Sequence, residues 1–361
     1  MKIAHVVDSM EVGGAETVVL QMCRLQREKG HEPGVYAVAA LGALGEQMRK
    51  EGFAVRPNVG RHLLDASRSF YRAFKELRPD VVHLHNPTPT IYAAPAARMA
   101  SVPSVVSTRH SLVAPPRRMA VELKYALAAS CCDWIVGICD ATADNMKSIH
   151  SVPAQKIARI YNGTVPLERA AKEQWPPKSG FTLVYVGRLA PVKNHALLLN
   201  AFRAAHSTMQ GLRLWMVGDG SERKALENLS ADLGIAAHVT FWGQQLDVAP
   251  FFSAADAFIM SSKSEGLPIS LLQGFSLGLP AIVTDVGGMA EVVRLAKAGF
   301  TVSATDPSEM AAAIRRLACD DAERKLFSRN AEAAFQARFT LETMVDAYID
   351  LYRSTSRARL P

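Results

Sequence analysis

The chain has 361 residues, 49% hydrophobic and 21% charged, with 23 Gly and 19 Pro. That length holds roughly two domains, each able to bury its own core, and the composition excludes both a small stapled scaffold and a disordered chain. Net charge is +7, and all of the excess lies in the first 180 residues, which hold 23 Lys+Arg against 16 Asp+Glu, while the remainder holds 18 against 18.

A positive field confined to one half implies an anionic partner such as a phospholipid surface, although an ordinary solubilising surface has the same composition. No Lys/Arg run is interleaved with aromatics, and no helix-turn-helix or zinc-finger spacing occurs, so nucleic acid is not the expected partner. Five Cys without a CxxC pair indicate neither a zinc cage nor a disulfide framework, and a reducing compartment is expected. The N-terminal MKIAHVVDSM lacks the apolar centre of a signal peptide and reads as a first strand. The longest mostly apolar stretch, 127–139, is interrupted by Asp133 and is too short to span a bilayer. The expected location is cytoplasmic, with contact to the inner face of the membrane.

Taken in chain order, short β-branched runs alternate with amphipathic stretches, the pattern of βα units around parallel sheets. Strands are predicted at 3–7, 35–39, 81–85, 104–108 and 134–137, with a helix over 16–29 that stops at Gly30. The segment 163–180 contains three prolines and little periodicity, and reads as a linker. A second series follows at 182–186, 213–217, 239–241, 257–260, 281–284 and 300–302, and helices are predicted at 307–317, 322–338 and 341–352. The expected fold class is α/β with two doubly wound, Rossmann-like domains. Ligands of such sheets bind at the carboxyl ends of the strands, here in a cleft between the two domains.

The loops that follow strands are therefore where ligand chemistry is expected. After the first strand, Gly13-Gly14 precedes a helix; such a turn lets an anion approach free backbone N–H groups, though a Gly-Gly turn is as often structural. Neither a dinucleotide fingerprint nor a Walker A loop is present. The second series opens on Val186-Gly187-Arg188, with Lys193 five residues on, two permanent cations at a strand end as a diphosphate requires. Gly218-Asp219-Gly220 loosens the next strand end. In Glu265-Gly266-Leu267-Pro268, the proline suits a first helical turn, which places the backbone amides before it on the ligand side, with Gln273 two turns further along the same helix.

This succession, from Gly13-Gly14-Ala15-Glu16 through Gly187-Arg188 and Lys193-Asn194 to Glu265-Gly266-Leu267-Pro268 and Thr284-Asp285-Val286-Gly287-Gly288, resembles the family-4 retaining glycosyltransferases of bacterial polysaccharide assembly. The likeness runs from about residue 3 to residue 356. It implies the GT-B fold, with an acceptor-binding domain at 1–165, a nucleotide-sugar-binding domain at 181–340 and a C-terminal helix within 341–361 that crosses back to the first domain. It further implies transfer of a sugar from a nucleotide diphosphate sugar, UDP being the commonest, to a hydroxyl with retention and without a metal or other cofactor. No Asp-x-Asp triplet is present to hold a cation.

The roles implied are catalytic for Glu265, His110, Arg188 and Lys193. Donor binding is implied for Gly13, Gly14, Arg188, Lys193, Gly218, Glu265, Gly266, Leu267, Pro268 and Gln273. Arg188, Lys193 and the Gly13-Gly14 amides would stabilise charge on the departing diphosphate, and Glu265 would position sugar hydroxyls and oppose an oxocarbenium-like carbon. His110 matches the family histidine that contacts the donor sugar, and Asn162-Gly163 a hinge motif. One departure is Gln273, where the family has a second Glu holding the ribose; an amide oxygen still accepts a hydroxyl but without charge assistance. The expected acceptor is a glycan or lipid-linked molecule in exopolysaccharide, O-antigen or capsule biosynthesis. Residues 114–125 form the expected membrane- or acceptor-facing segment, and an anionic membrane is the expected peripheral partner. A GT-B nucleotide-sugar epimerase and a noncatalytic nucleotide-sugar-binding subunit stand as alternatives.

Overall fold

In the computed structural model, residues 1–11, 13–39, 41–57, 62–113, 119–149 and 152–357 are described. The chain divides into two compact units, residues 1–164 with 341–361, and residues 165–340.

The first unit runs β1 (Lys2–Val7), α1 (Gly14–Glu28), β2 (Glu32–Ala37), α2 (Gly42–Lys50), β3 (Ala54–Pro57), α3 (Leu63–Leu77), β4 (Val81–His85), α4 (Pro87–Met99), β5 (Ser104–Arg109), α5 (Met119–Ala129), β6 (Trp134–Gly137), α6 (Asp140–Ser148) and β7 (Ile157–Arg159). Its seven strands lie in the order β3-β2-β1-β4-β5-β6-β7, and all pairs are parallel. Every residue of β4 and β5 is buried, as expected of strands covered by helices on both faces, and the burial takes in polar side chains, His83 and His85 on β4 and Ser104, Ser107, Thr108 and Arg109 on β5. The order reverses between β1 and β4, and ligands of open α/β sheets bind at the strand ends beside such a reversal.

The second unit runs β8 (Phe181–Val186), α7 (His195–His206), β9 (Leu212–Val217), α8 (Arg223–Asp232), β10 (Val239–Gly243), α9 (Ala249–Ala254), β11 (Ala257–Met260), α10 (Ile269–Ser276), β12 (Ala281–Thr284), α11 (Gly287–Ala296), β13 (Gly299–Val302), α12 (Pro307–Cys319) and α13 (Asp321–Ala334). Its six strands are ordered β10-β9-β8-β11-β12-β13, again all parallel, with the reversal between β8 and β11. Local chemistry sets the helix starts. The Asp306 carboxylate accepts from the Ser308 N–H at 2.8 Å with Pro307 in the first turn, and the Asp320 carboxylate accepts from the Glu323 N–H at 2.8 Å.

Four expectations are corrected. The stretch 165–180 is not a free linker: the Leu167 N–H donates to Ser276 Oγ at 3.0 Å, the Ala170 N–H to Ser253 Oγ at 2.9 Å and Arg169 to the Leu277 carbonyl at 3.1 Å, tying it to the second unit. The helix expected over 322–338 stops at Ala334, and a π-helical turn over Phe335–Phe339 buries both terminal phenylalanines before Thr340 turns extended. Two strands were missed, β3 with the sequence AVRP and β7 with IAR; both are sheet edges too short and too polar for a period-2 pattern. Pro268 is the residue before α10 rather than one of its first turn.

The last helix, α14 (Leu341–Arg357), belongs to the first unit. The Leu341 N–H donates to the Thr164 carbonyl at 3.0 Å, and Lys29, just past the end of α1, pairs with Asp346 at 2.6 Å. Tyr348 and Tyr352 are carried inward, where both are buried.

Candidate functional site

In the second unit, three loops at the carboxyl ends of β8, β11 and β12 are laced together by backbone bonds. The Lys263 N–H donates to the Val192 carbonyl at 2.8 Å, and the Gly288 N–H to the Gly266 carbonyl at 2.8 Å. Ser261 Oγ reaches the Lys193 and Asn194 carbonyls, and Thr284 Oγ1 donates to the Ser262 carbonyl at 2.6 Å. Asn194 sits in the left-handed region with φ +53°, its amide bonded to the Ala304 carbonyl. A lattice of this kind fixes the backbone that presents Lys193 and Glu265.

Those two side chains meet. Lys193 Nζ donates to Glu265 Oε1, and Ser262 Oγ lies 3.3 Å from the same oxygen. Each side chain of the pair is only 16% exposed. The sequence reading has Lys193 and Glu265 facing different parts of one ligand; in the structure they neutralise each other. Arg188, by contrast, is exposed and makes no ion pair among the described residues. Its carbonyl accepts from Tyr185 Oη at 3.0 Å. Burial, with the Glu265 carboxylate adding, holds the Tyr185 phenol above its usual range, and burial next to the Lys193 charge pushes His195 down to about 4. His195 packs edge-on against Tyr185 with ring centroids 4.6 Å apart.

The glycines separate by role. Gly218 has φ +134° and its N–H donates to the Gly243 carbonyl at 2.8 Å; a Cβ there would collide with the Gly187 carbonyl. Its amide is therefore occupied, and the residue serves the close approach of the β8 and β9 ends. Gly266 and Leu267 are buried and Pro268 half-buried, immediately before an α10 end that no side chain caps. Gln273 is half-buried on α10, and its carbonyl accepts from Ser276 Oγ at 2.7 Å.

In the first unit, Gly13 and Gly14 lie where β1 hands over to α1, an end with no side-chain cap; Val12 of the same loop lies outside the described residues. The Gly13 carbonyl accepts from both the N–H and Oγ1 of Thr17. A Cβ on Gly14 would meet nothing within 4 Å. Asp8 at the end of β1 has its carboxyl held above the ordinary range by burial, with Thr88 bonding it in the opposite sense. His110 follows β5; Asn86 Oδ1 accepts its N–H at 3.1 Å. Asn162, of the hinge motif, is buried, and the Gly163 N–H faces Met344 Sδ at 3.2 Å.

His110 is not a lone histidine. His5 and His83 are paired in register on β1 and β4, and His85 is two residues along β4, on the same face. Their rings form a stack with His110, centroids 4.1 Å apart for His83 and His85 and 5.4 Å for His85 and His110. Burial depresses all four, His5 and His110 to about 4 and the other two well below the ordinary value, so the group is neutral at neutral pH. The sequence reading missed this cluster. The available signal was the VVHLHN run, since two histidines two apart in a buried strand must share one face.

Arg109, the last residue of β5, forms a two-armed pair with Glu122 of α5 at 2.9 and 2.7 Å and lies over the Tyr125 ring, which anchors the helix. The opposite face carries Met119, Leu123 and Leu127, each about two-thirds exposed, spaced four residues apart. Of the expected membrane-facing segment, 114–118 lie outside the described residues. No described helix is long and apolar enough to cross a membrane.

Residues 12–166 match the family described as Glycosyltransferase Family 4, and residues 168–334 the family described as Glycosyl transferases group 1. The lipopolysaccharide core biosynthesis glycosyltransferase LpsD of Rhizobium meliloti is 35% identical over 176 residues, 49% of this chain and 50% of its own, so the chain spans half the length of that relative. An Escherichia coli UDP-Gal:alpha-D-GlcNAc-diphosphoundecaprenol alpha-1,3-galactosyltransferase is 28% identical over 302 residues, covering 79% of this chain and 78% of its own. Among solved structures, Anabaena Alr3699/HepE in complex with UDP superposes with a TM-score of 0.85 at 19% identity, covering 98% of this chain and 100% of its own. That likeness extends the two parallel sheets to the GT-B fold.

Proposed function

Because the chain belongs to the glycosyltransferases, with a Family 4 first part and a group 1 second part, we propose that it takes its sugar from a UDP-linked donor and transfers it with retention to a hydroxyl of a glycan or lipid-linked acceptor. The observation that carries this reading is the Lys193–Glu265 pair, with Arg188 exposed and without an ion pair among the described residues, on loops at the strand ends where the second sheet reverses. A diphosphate brings two to three negative charges and competes with Glu265 for Lys193. Binding it releases the carboxylate, which is then free to hold the sugar hydroxyls and oppose positive charge at the anomeric carbon. The bond from that carbon to the diphosphate breaks and the bond to the acceptor oxygen forms. The acceptor proton passes to the leaving phosphate oxygen, so no separate base is needed. Arg188 and Lys193 meet the charge developing on the leaving group, a contact worth more in the transition state than in the ground state.

The Gly13-Gly14 amides, His110, the uncapped α10 end at Gly266-Leu267-Pro268, and Gln273 are assigned to the donor on the same reading, with Gln273 accepting a ribose hydroxyl. Gly218 is assigned to packing instead, because its N–H is already bonded. The E. coli relative is named for a UDP-Gal donor and a diphosphoundecaprenol-linked acceptor, and HepE was solved with UDP; both support the UDP and lipid-linked assignments, in exopolysaccharide, O-antigen or capsule assembly. Two cationic side chains in place of a metal make the reaction independent of divalent cations.

For location we infer the cytoplasmic face of an anionic membrane. The exposed row Met119, Leu123, Leu127 on α5 and the positive excess of the first 180 residues support it, since apolar insertion and anionic lipid attraction add. Thermal shift against UDP-, GDP-, ADP- and dTDP-sugars tests the donor, because a ligand that binds only the folded state raises the melting temperature. UDP-sugars shifting the transition, with slow UDP release that persists in EDTA, is the expected result. Formation of an isomeric nucleotide sugar without UDP release, or loss of UDP release in EDTA, would overturn the proposal.

A further inference from the structure

The first unit buries a continuous line of side chains that leads to His110. Gln26 Oε1 lies 2.8 Å from His5 Nε2, His5 Nδ1 lies 3.0 Å from His85 Nε2, and His85 Nδ1 lies 3.1 Å from His110 Nε2. We propose that Gln26 and His5, acting through His85, are positioning residues that dictate which nitrogen of His110 carries its proton, so that Nδ1 accepts a hydroxyl of the transferred sugar. This rests on the reading of His110 as a sugar contact.

Each neutral imidazole has one N–H and one lone pair. A carbonyl oxygen only accepts, so the His5 Nε2–H donates to Gln26. His5 Nδ1 is then a lone pair, which obliges His85 to donate from Nε2. His85 Nδ1 is a lone pair in turn, and His110 donates its Nε2–H to it. One amide at the start therefore sets the polarity of three rings, and the last lone pair, His110 Nδ1, is buried and has no partner among the described residues. A buried acceptor left unmet calls for an explanation, and a sugar hydroxyl donating to it supplies one. Turning the Gln26 amide over would reverse every link and make His110 Nδ1 a donor.

The same histidines invite a metal reading, since ring nitrogens of His5, His83 and His85 lie within 4.8 Å of one another. Hydrogen bonds already engage all six of those nitrogens. His83 Nε2 faces Thr108 Oγ1 at 2.7 Å and His83 Nδ1 faces Tyr352 Oη at 2.7 Å, while both nitrogens of His5 and of His85 belong to the line described above. A cation would have to break that network, so the cluster is a hydrogen-bond conduit. His83, held by Thr108 and Tyr352, lies tilted against His85 with ring centroids 4.1 Å apart.

The test is the histidine tautomer, read from ring-nitrogen shifts of the full chain labelled with 15N-histidine at neutral pH. His5, His85 and His110 are expected to carry their protons on Nε2, and UDP-glucose, but not UDP, is expected to move His110 Nδ1. Gln26→Met, which removes the acceptor, should mix the His110 tautomers and lower kcat/KM for UDP-glucose about tenfold, the scale of one hydrogen bond; Gln26→Glu, which keeps an acceptor, should restore both. A proton on His110 Nδ1 in the unmodified chain, or unchanged tautomers in Gln26→Met, overturns the proposal. Should Gln26→Met fail to fold, the unmodified spectrum alone decides. If the tautomers respond to Gln26 but UDP-glucose leaves His110 untouched, the relay stands and the reading of His110 as a sugar contact falls.

Discussion

Lys193 and Glu265, on loops that follow different strands of one sheet, donate and accept a hydrogen bond with each other. The pairing makes each the occupant of the other's ligand position when no donor is bound. Glu265→Ala is expected to lower turnover by about 10²–10³, the scale of removing one transition-state electrostatic contact, while UDP still raises the melting temperature. Lys193→Ala is expected to lower turnover as well, and in addition to raise KM for a UDP-sugar by about ten- to a hundredfold, the scale of a hydrogen bond to a charged group. Steady-state kinetics on both variants separates the roles, and an unchanged KM in Lys193→Ala would remove its assignment to the diphosphate.

Gly14 and Gly218 should respond oppositely to alanine. At Gly218 a Cβ meets the Gly187 carbonyl in a φ region that L residues rarely adopt, so Gly218→Ala is expected to destabilise the fold by about 2 kcal/mol or more. At Gly14, in the first turn of α1 and facing open space, alanine should leave the urea midpoint unchanged or raise it. Any loss of donor binding in Gly14→Ala then reports a methyl group standing where the diphosphate approaches. A stable Gly218→Ala would show that the loop shifts at no cost.

The α5 helix joins an internal anchor to an external apolar row. Glu122→Ala leaves the Arg109 guanidinium buried without its carboxylate, and a loss of about 3 kcal/mol is expected, with part of the charge still met by the Tyr125 ring. Replacing Met119, Leu123 and Leu127 together by Ser should leave that stability intact and abolish flotation with anionic liposomes. Flotation equal to that of the unmodified chain would place the membrane contact elsewhere.

Acid should unfold the first unit early. The four stacked histidines are neutral in the folded chain and have depressed values, about 4 for the fully buried His5 against an ordinary 6.5. Between those two values the unfolded chain binds the proton and the folded chain does not, so stability is complete above about pH 6.5 and is lost as pH falls toward 4. Each such imidazole contributes at most about 1.4 kcal/mol per pH unit. Urea midpoints from pH 8 to 4 should fall steeply below 6.5, and His85→Gln should flatten that slope. A flat profile would mean the cluster takes up protons without opening.

Local chemistry made much of this protein readable from its residues. Central parallel strands such as Ala257–Met260 and Ala281–Thr284 announce themselves because burial on both faces forces apolar runs, and turns such as Gly13-Gly14 and Glu265–Pro268 because a strand-to-helix turn at a ligand needs open amides. The edge strands at Ala54 and Ile157 did not, since an edge has little apolar surface to bury. What only folding decided depends on partners far apart in the chain. Lys193 meets Glu265 because two loops of one sheet reversal are laced by backbone bonds, and His5, His83, His85 and His110 become one neutral network because β1, β4 and β5 lie side by side with α14 closing over them. Residue type and spacing announce a charge or an imidazole, but burial and the neighbour across the sheet determine whether it is paired, protonated or free.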